Sequence, residues 1–348
     1  MALPDQWRSG PSGLLCKVSD DRSYGATAVS PTETGDRHVR DFEVPVVKGR
    51  TPTNPRCHMA YAETVPDMAP MPRHQHLIVT VYGLYAREHG GVLAVSDLIR
   101  LLSDLGVESA GVRSSVSRLK KRGVLVSLKH GGSAAYSLAP GLEEVFKAGD
   151  ERIFSPRRAE EGDDWLLTSF SVPESQRHLR HKLRTILTRM GCGQVSPGLW
   201  IAPGSLAGEI AQQLDRAGLM EYVDLFKAAH LGESNIRAKV GRWWDLPALD
   251  ALYSDFLVRH ENVLTRWSDG RAEEAETPEQ LRQAFIDYVP TVTQWRRLPY
   301  LDPGLPEKYL PEGWSGIAAE ALFADVHALL GPKAQRYARS VLAPEEVA

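Results

Sequence analysis

Residues 96–138 constrain this chain most: two helical periodicities flank one glycine, and a pair of β-prone runs follows. Leu98, Leu101, Leu102 and Leu105 recur at helical spacing, with Ser96 placed to cap their helix. Gly106 supplies the tight turn between two crossing helices. Val112, Val116 and Leu119 then share one face of a second helix, with Ser109 as its expected N-cap and Gly123 as its stop. Residues 124–129 and 134–138 read as strands turned by Gly131-Gly132. Helix, turn, helix and hairpin in this order predict a winged helix-turn-helix, which lays its second helix in the major groove of DNA.

Charge points the same way. Between residues 111 and 133 stand Arg113, Arg118, Lys120, Lys121, Arg122 and Lys129, with no Asp or Glu. The whole chain carries 41 basic and 44 acidic residues, so the bias is local. A duplex is a dense line of negative charge, and a basic patch binds it by releasing counterions. Arg forks onto guanine O6 and N7, while Ser and Lys suit phosphates and base edges. The expected DNA-binding set is Arg113, Ser114, Ser117, Arg118, Lys120, Lys121, Arg122, Lys129 and His130. A charge run by itself is more often a solvated face. Its place on the last helix before a hairpin sets this one apart.

These residues resemble the PaaX-like family of transcriptional regulators, the phenylacetate-degradation repressors. The matching segments are Leu77-Ile78-Val79-Thr80-Val81-Tyr82-Gly83, Leu98-Ile99-Arg100-Leu101-Leu102 and Val112-Arg113-Ser114-Ser115-Val116-Ser117-Arg118-Leu119. Near the C-terminus, Trp295-Arg296-Arg297-Leu298-Pro299-Tyr300-Leu301-Asp302-Pro303-Gly304-Leu305-Pro306 matches as well. The resemblance spans roughly residues 74–340 and leaves residues 1–72 outside it. It implies a double-stranded DNA operator, a homodimer and an acyl-CoA effector, phenylacetyl-CoA in the best-known members. It also implies that the central region is similar to the Cas2 nucleases, which carry a metal-binding Asp near the end of the first strand. That place falls on Phe170-Ser171-Val172, with Ser171 where the Asp would be. A hydroxyl alone is a poor ligand for a hard divalent cation, so the fold is expected without the nuclease. The family's recognition helix opens with a Ser cap where this chain has Glu108.

Length and composition set the frame. A chain of 348 residues, 43% hydrophobic, has room for two or three domains with real cores. Cys16, Cys57 and Cys192 have no metal-like spacing and form no even disulfide framework, which fits a reducing cytoplasm. No stretch approaches the roughly 20 apolar residues of a membrane span, and no signal-peptide core opens the chain. Residues 1–72 hold nine of the 23 prolines and no sustained periodicity, so a disordered or loosely packed leader is expected. Met59, Met68 and Met71 just before the first periodic helix allow an over-extended start.

The expected class is α+β multidomain. Residues 73–148 form the winged-helix DNA-binding domain, with a first helix over 76–87 and a short helix from Pro140-Gly141 through Phe146. Residues 149–163 are a charged linker. Residues 164–240 give βαββαβ, a ferredoxin-like (Cas2-like) dimerisation domain. Its strands cover 165–172, 194–195, 199–201 and 222–229, and its helices 174–190 and 206–217. Residues 241–342 are a helical effector-binding domain. Leu249, Leu252, Tyr253, Phe256 and Leu257 form one of its stripes, and Leu281, Phe285, Tyr288 and Val289 another. Leu322, Val326 and Leu329 point inward from a last helix over 317–330.

Trp295, Arg296, Arg297 and Tyr300 are the expected effector-binding residues. Arg forks suit phosphate or carboxylate, and aromatics give a flat apolar wall. The alternative is that the two arginines pair with Asp302 or Glu307 and fasten a loop. Gly191-Cys192-Gly193 follows a helix rather than a strand and is no dinucleotide loop. His178 and His181 stand at i, i+3 without a third ligand, and Asp163 and Asp164 read as linker charge. No catalytic residue, metal site or cofactor is expected. The reading is a homodimeric repressor, released when an acyl-CoA favours the arrangement that cannot span both half-sites. A metal-dependent nuclease working through the Cas2-like domain is the alternative.

Overall fold

The computed structural model describes residues 73–87, 90–130, 133–231, 235–268 and 276–342. The expected leader, 1–72, lies outside the described residues, as does the Gly131-Gly132 tip of the hairpin. Helix α1 (Arg73–Val81) widens into a π-helical turn, Tyr82–Ala86. Strand β1 (Val92–Ala94) leads directly into α2 (Val95–Asp104), and α3 (Ser109–Lys121) follows. Strands β2 (Leu125–His130) and β3 (Ser133–Leu138) form an antiparallel hairpin, and β1 adds to it in the order β1-β3-β2.

Both helix ends in this region close on a glycine in the left-handed conformation. Gly106 at φ 75° ends α2, where Gly106 N–H donates to Ser103 O and Val107 N–H to Leu102 O. Gly123 at φ 72° ends α3 with the same pair of bonds, to Lys120 O and Leu119 O. This Schellman geometry satisfies carbonyls that would otherwise lack donors. The N-termini differ from expectation. Helix α2 is capped by Ala94, because strand pairing already holds that residue extended; Ser96 lies inside the helix and its hydroxyl meets Asp97. Helix α3 is capped by Glu108, with Ser109 its first helical residue and no side-chain cap bond.

Helix α4 (Leu142–Phe154) runs past Phe146 into the stretch expected as linker. It does so because its last residues have somewhere to pack: the rings of Phe154 and Phe323 lie 6.0 Å apart. The central region is β4 (Trp165–Phe170), α5 (Arg177–Arg189), β5 (Gly193–Ser196), β6 (Leu199–Pro203), α6 (Ala207–Arg216) and β7 (Val223–Ala228). Its antiparallel sheet has the order β5-β6-β4-β7, the arrangement expected of βαββαβ. Leu166 and Phe170 face the helices and pack with Leu183, Leu187, Ile210 and Leu214. Trp165 and Ile201 face the other way and join a second core.

The C-terminal region is helical: α7 (Ile236–Trp243), α8 (Leu246–Ser268), α9 (Pro278–Trp295), α10 (Leu298–Leu301) and α11 (Ser315–Leu342). Thr277 and Gln280 form a capping box around Pro278 at the start of α9. Helix α11 continues well beyond residue 330, through Pro332. Its later inward face is Ala334 and Ala338, whose small side chains let it lie close to neighbouring helices. Its buried stripe is Ala319, Phe323, Val326 and Leu330, while Leu322 and Leu329 are only partly buried.

One apolar core joins this region to the first three helices, although well over a hundred residues separate them in sequence. Leu77, Tyr82, Leu101, Val116 and Leu119 belong to the same cluster as Phe256, Phe285, Trp295 and Val326. Tyr85 and Phe285 have ring centroids 5.6 Å apart. At the rim, Asp104 accepts hydrogen bonds from Arg282 and Tyr337.

Candidate nucleic-acid interface

Helix α3 buries Val112, Ser115, Val116 and Leu119 and turns the rest outward. Arg113, Ser114, Ser117, Arg118, Lys120, Lys121 and Arg122 are all exposed, as is Lys129 on β2. The side chain of His130 lies outside the described part of the structure. Arg122 is tethered, with Nη1 3.4 Å from Gln75 Oε1. Arg113, Arg118, Lys120, Lys121 and Lys129 take part in no ion pair among the described residues. Elsewhere on the surface arginines such as Arg259, Arg266 and Arg282 are each held by a carboxylate. An exposed face of unneutralised cations presents its whole charge to solution, which is the footprint a polyanion needs. Gly111 sets α3 against α1: a Cβ there would stand 3.3 Å from the His74 ring.

The four residues expected to bind an effector gather in one place, and that place is a joint. Trp295 is fully buried, stacked on Phe323 at 4.6 Å, and its indole N–H donates to Ile153 O at 2.8 Å. Arg296 is half-buried; Nε donates to Thr80 Oγ1 at 3.1 Å and Nη2 lies 3.3 Å from His76 Nδ1. Thr293 donates to the same Thr80 hydroxyl. Desolvation, with Arg297 nearby, pulls the Arg296 pKa down to about 10. Arg297 is half-buried beside it. Tyr300 lies under the Arg152 guanidinium, 4.8 Å from its ring centre, and burial raises its pKa. Asp302, proposed above as a partner for these arginines, instead accepts from Arg158 at 3.1 Å and from Tyr253 at 2.9 Å.

Sequence reasoning missed Arg152. Its Nε donates to Pro299 O, Nη1 to Glu209 at 2.8 Å and Nη2 to Met190 O. One guanidinium thereby ties α4, the central domain and the 298–301 turn together. Arg152 fell in a stretch of mixed charge, and no local pattern marks a side chain whose partners are all remote.

The other sequence candidates resolve into local structure. Ser171 is exposed, and its N–H donates to Tyr222 O. Asp164 pairs with Lys227, and Asp163 accepts from the Glu160 N–H. His178 and His181 are exposed on α5. Gly193 is where the Trp244 indole passes: a Cβ would stand 2.6 Å from it, and Trp244 Nε1 donates to Gly191 O. A cleft of about 320 Å³ is lined by residues 159–165 and by Pro306, Lys308 and Tyr309, with His230 and Ile236, and its one lysine, Lys308, is paired with Glu161. Among the described residues no three His, Cys, Asp or Glu side chains gather as a metal set. No helix among them is long and apolar enough to cross a membrane.

Three family models match in succession: "PaaX-like protein" over residues 73–141, "PaaX protein central Cas2-like domain" over 158–240 and "PaaX-like protein C-terminal domain" over 244–340. The chain belongs to the PaaX-like family. The transcriptional repressor PaaX of Escherichia coli (strain K12) is 26% identical over 261 residues, 74% of this chain and 80% of that protein. Among solved structures, the uncharacterized protein Rv0674 from Mycobacterium tuberculosis aligns with a TM-score of 0.47 at 20% identity, over 76% of this chain and 99% of that one. In the PaaX-like frame the β5-β6-β4-β7 sheet with α5 and α6 is the Cas2-like domain, and α8 through α11 are the helical C-terminal domain.

Proposed function

We propose that this chain is a DNA-binding transcriptional repressor. Helices α1 to α3 and the β1-β3-β2 sheet serve as a winged helix-turn-helix, with α3 in the major groove and the β2–β3 hairpin as wing. The observation that carries this reading is the exposed face of α3, where Arg113, Arg118, Lys120 and Lys121 stand without counter-charges among the described residues. The family relationship to a named repressor supports it. The Cas2-like domain pairs two protomers, which sets the spacing of two half-sites. The protein works in the cytoplasm on an operator and performs no catalysis; Ser171 leaves a Cas2-like metal site without its carboxylate.

The test is an operator titration. Arg113→Ala and Arg118→Ala are each expected to lose about 1–3 kcal/mol of specific binding, roughly 5–150-fold in affinity. Lys121→Ala is expected to weaken all sequences alike and flatten the salt dependence. Unchanged affinity in both arginine variants would remove α3 as the reading helix.

The effector belongs to the same proposal. An acyl-CoA is the ligand implied by the resemblance, and the joint at Trp295–Tyr300 is where it acts. Support comes from Arg296, a partly desolvated cation whose hydrogen-bond partners are a neutral hydroxyl and a ring nitrogen. An anion arriving there gains an arginine with no competing carboxylate, and it does so beside α1. Arg296→Gln is expected to abolish the rise in melting temperature that phenylacetyl-CoA gives the wild type, with ligand-free operator affinity within about twofold. Parallel loss of stability and operator binding would instead make Arg296 a fastening residue alone.

A further inference from the structure

The densest positive charge on the described surface outside α3 lies on α5. Its 13 residues hold Arg177, Arg180, Lys182, Arg184 and Arg189 with His178 and His181, and no acidic residue. Leu183, Ile186 and Leu187 seat the helix on the central sheet. The 4-3-4 spacing then lines up Arg177, His181 and Arg184 in one row and His178, Lys182, Thr185 and Arg189 in the next. Arg177, His178, His181, Lys182 and Arg184 are exposed.

The charge is largely uncompensated. Glu174 takes Arg180 at 3.3 Å, and Arg180 also donates to Val172 O. Lys182 donates to Ala217 O and Arg184 to Pro197 O, both neutral carbonyls. Like charges four residues apart, as Arg180 and Arg184 are, disfavour an isolated helix. Here the buried leucine face holds the helix against that repulsion. A row of cations maintained in this way suits a polyanion.

We propose that α5 is a second DNA-contacting surface, binding the phosphate backbone without reading bases. Thirteen helical residues span about 20 Å, the length of roughly six phosphates on one strand. The helix has no Phe, Tyr or Trp to stack on a base and no Asn or Gln to read adenine, and of its arginines Arg180 and Arg184 are engaged by Val172 O and Pro197 O. The contacts proposed for it are therefore electrostatic, to phosphates, and the lysine variants below separate these from guanine reading by arginine. This rests on the DNA-binding reading above and extends its footprint beyond α3 to the Cas2-like domain.

The test uses the full chain and two duplexes, the bare operator and the operator with about 20 base pairs of unrelated sequence on each side. In the wild type the flanks should tighten binding. In the triple variant Arg177→Gln/Lys182→Gln/Arg184→Gln they should not, and the slope of log affinity against log salt should fall by about 0.9 per lost contact. Affinity for flanked DNA at moderate salt should drop on the order of 10–100-fold. Arg177→Lys/Arg184→Lys should behave as wild type, because charge alone is used; a packing role would not be rescued this way. If the triple variant melts early, Arg177→Gln and Lys182→Gln taken singly should each lower the slope by about one unit. An unchanged slope and unchanged flank dependence overturn the proposal. Arg113→Ala/Arg118→Ala run in parallel separates the two failures: if it loses the operator while the α5 variants bind normally, only the α5 proposal falls. If no wild-type binding to DNA occurs, both fall.

Discussion

Trp295→Ala should destabilise the protein by about 3–5 kcal/mol, near the upper end for a single core substitution, and operator binding should weaken with it. The indole is wholly buried between the Phe323 ring at 4.6 Å and the Phe256 ring at 5.3 Å. Its removal leaves a large cavity and orphans the Ile153 carbonyl, which now accepts the indole N–H. Trp295→Phe keeps a ring in the stack and loses only the donor and some volume, so about 1–3 kcal/mol is expected. The consequence for binding follows from the shared core. Because helices α1, α2 and α3 pack in one cluster with α8, α9 and α11, a wound at Trp295 is felt by the N-terminal head, formed by α1 to α3 and the β1-β3-β2 sheet. Denaturant unfolding followed by far-ultraviolet dichroism, beside operator titration, checks both halves. Two separate transitions, with the head's unchanged by Trp295→Ala, would show the head folding independently and refute the coupling.

What was legible in the sequence was whatever depends on near neighbours. The face of α3 could be read because Val112, Val116 and Leu119 are periodic within eight residues, and its charges sit among them. The βαββαβ order could be read for a similar reason: its two helices carry their own apolar stripes, and the Pro197-Gly198 turn marks the pair of short strands beside it. Strand β1 could not: three residues carry no period, and pairing with β3 decides their conformation. Nor could the helix N-caps, because Ala94 is held extended by the sheet and not by a side-chain bond of its own. The later half of α11 hid its inward face in alanines. The candidate effector site shows a different limit. A cluster of Trp, Arg and Tyr has the same composition whether it opens to a ligand or closes on a neighbouring helix. The contacts that hold the cluster come from Ile153, Thr80 and Arg152, all remote in sequence, so the joint it forms could not be read from its own residues.

Asp302→Ala carries the other large expected effect, about 3–5 kcal/mol of stability. The carboxylate is buried and accepts from three directions: Arg158 Nη2 at 3.1 Å, Tyr253 Oη at 2.9 Å and Gly304 N at 2.7 Å. Truncation leaves the Tyr253 hydroxyl buried without its acceptor and the Arg158 guanidinium with Glu320 alone. Arg158 is poorly placed to bear this, since its Nε and Nη1 are buried and already lack hydrogen-bond partners among the described residues. The turn at Gly304 suffers too. Its φ is 66°, a Cβ there would meet Arg157 O at 2.8 Å, and Ala159 N–H donates to Gly304 O, so this turn clamps the segment entering β4. Replacing both partners, as in Arg158→Met/Asp302→Leu, should cost less than Asp302→Ala, because the buried guanidinium goes with its carboxylate, and the Glu320 carboxyl left behind is only partly buried and, with its raised pKa, takes up a proton more readily. The pH dependence has a defined sign. Burial raises the Glu320 carboxyl, with Arg158 opposing and Asp302 adding to the rise. A carboxyl with a folded pKa above its unfolded one favours folding at low pH, and that contribution fades as pH climbs through the folded pKa. Removing Asp302 takes away one cause of the rise and leaves Arg158 to Glu320, so the variant should lose less stability than the wild type over that climb. Guanidinium unfolding of wild type, Asp302→Ala and the double variant at several pH values measures all three expectations. A double variant no more stable than Asp302→Ala would show that packing around residue 302, and not the stranded arginine, sets the cost.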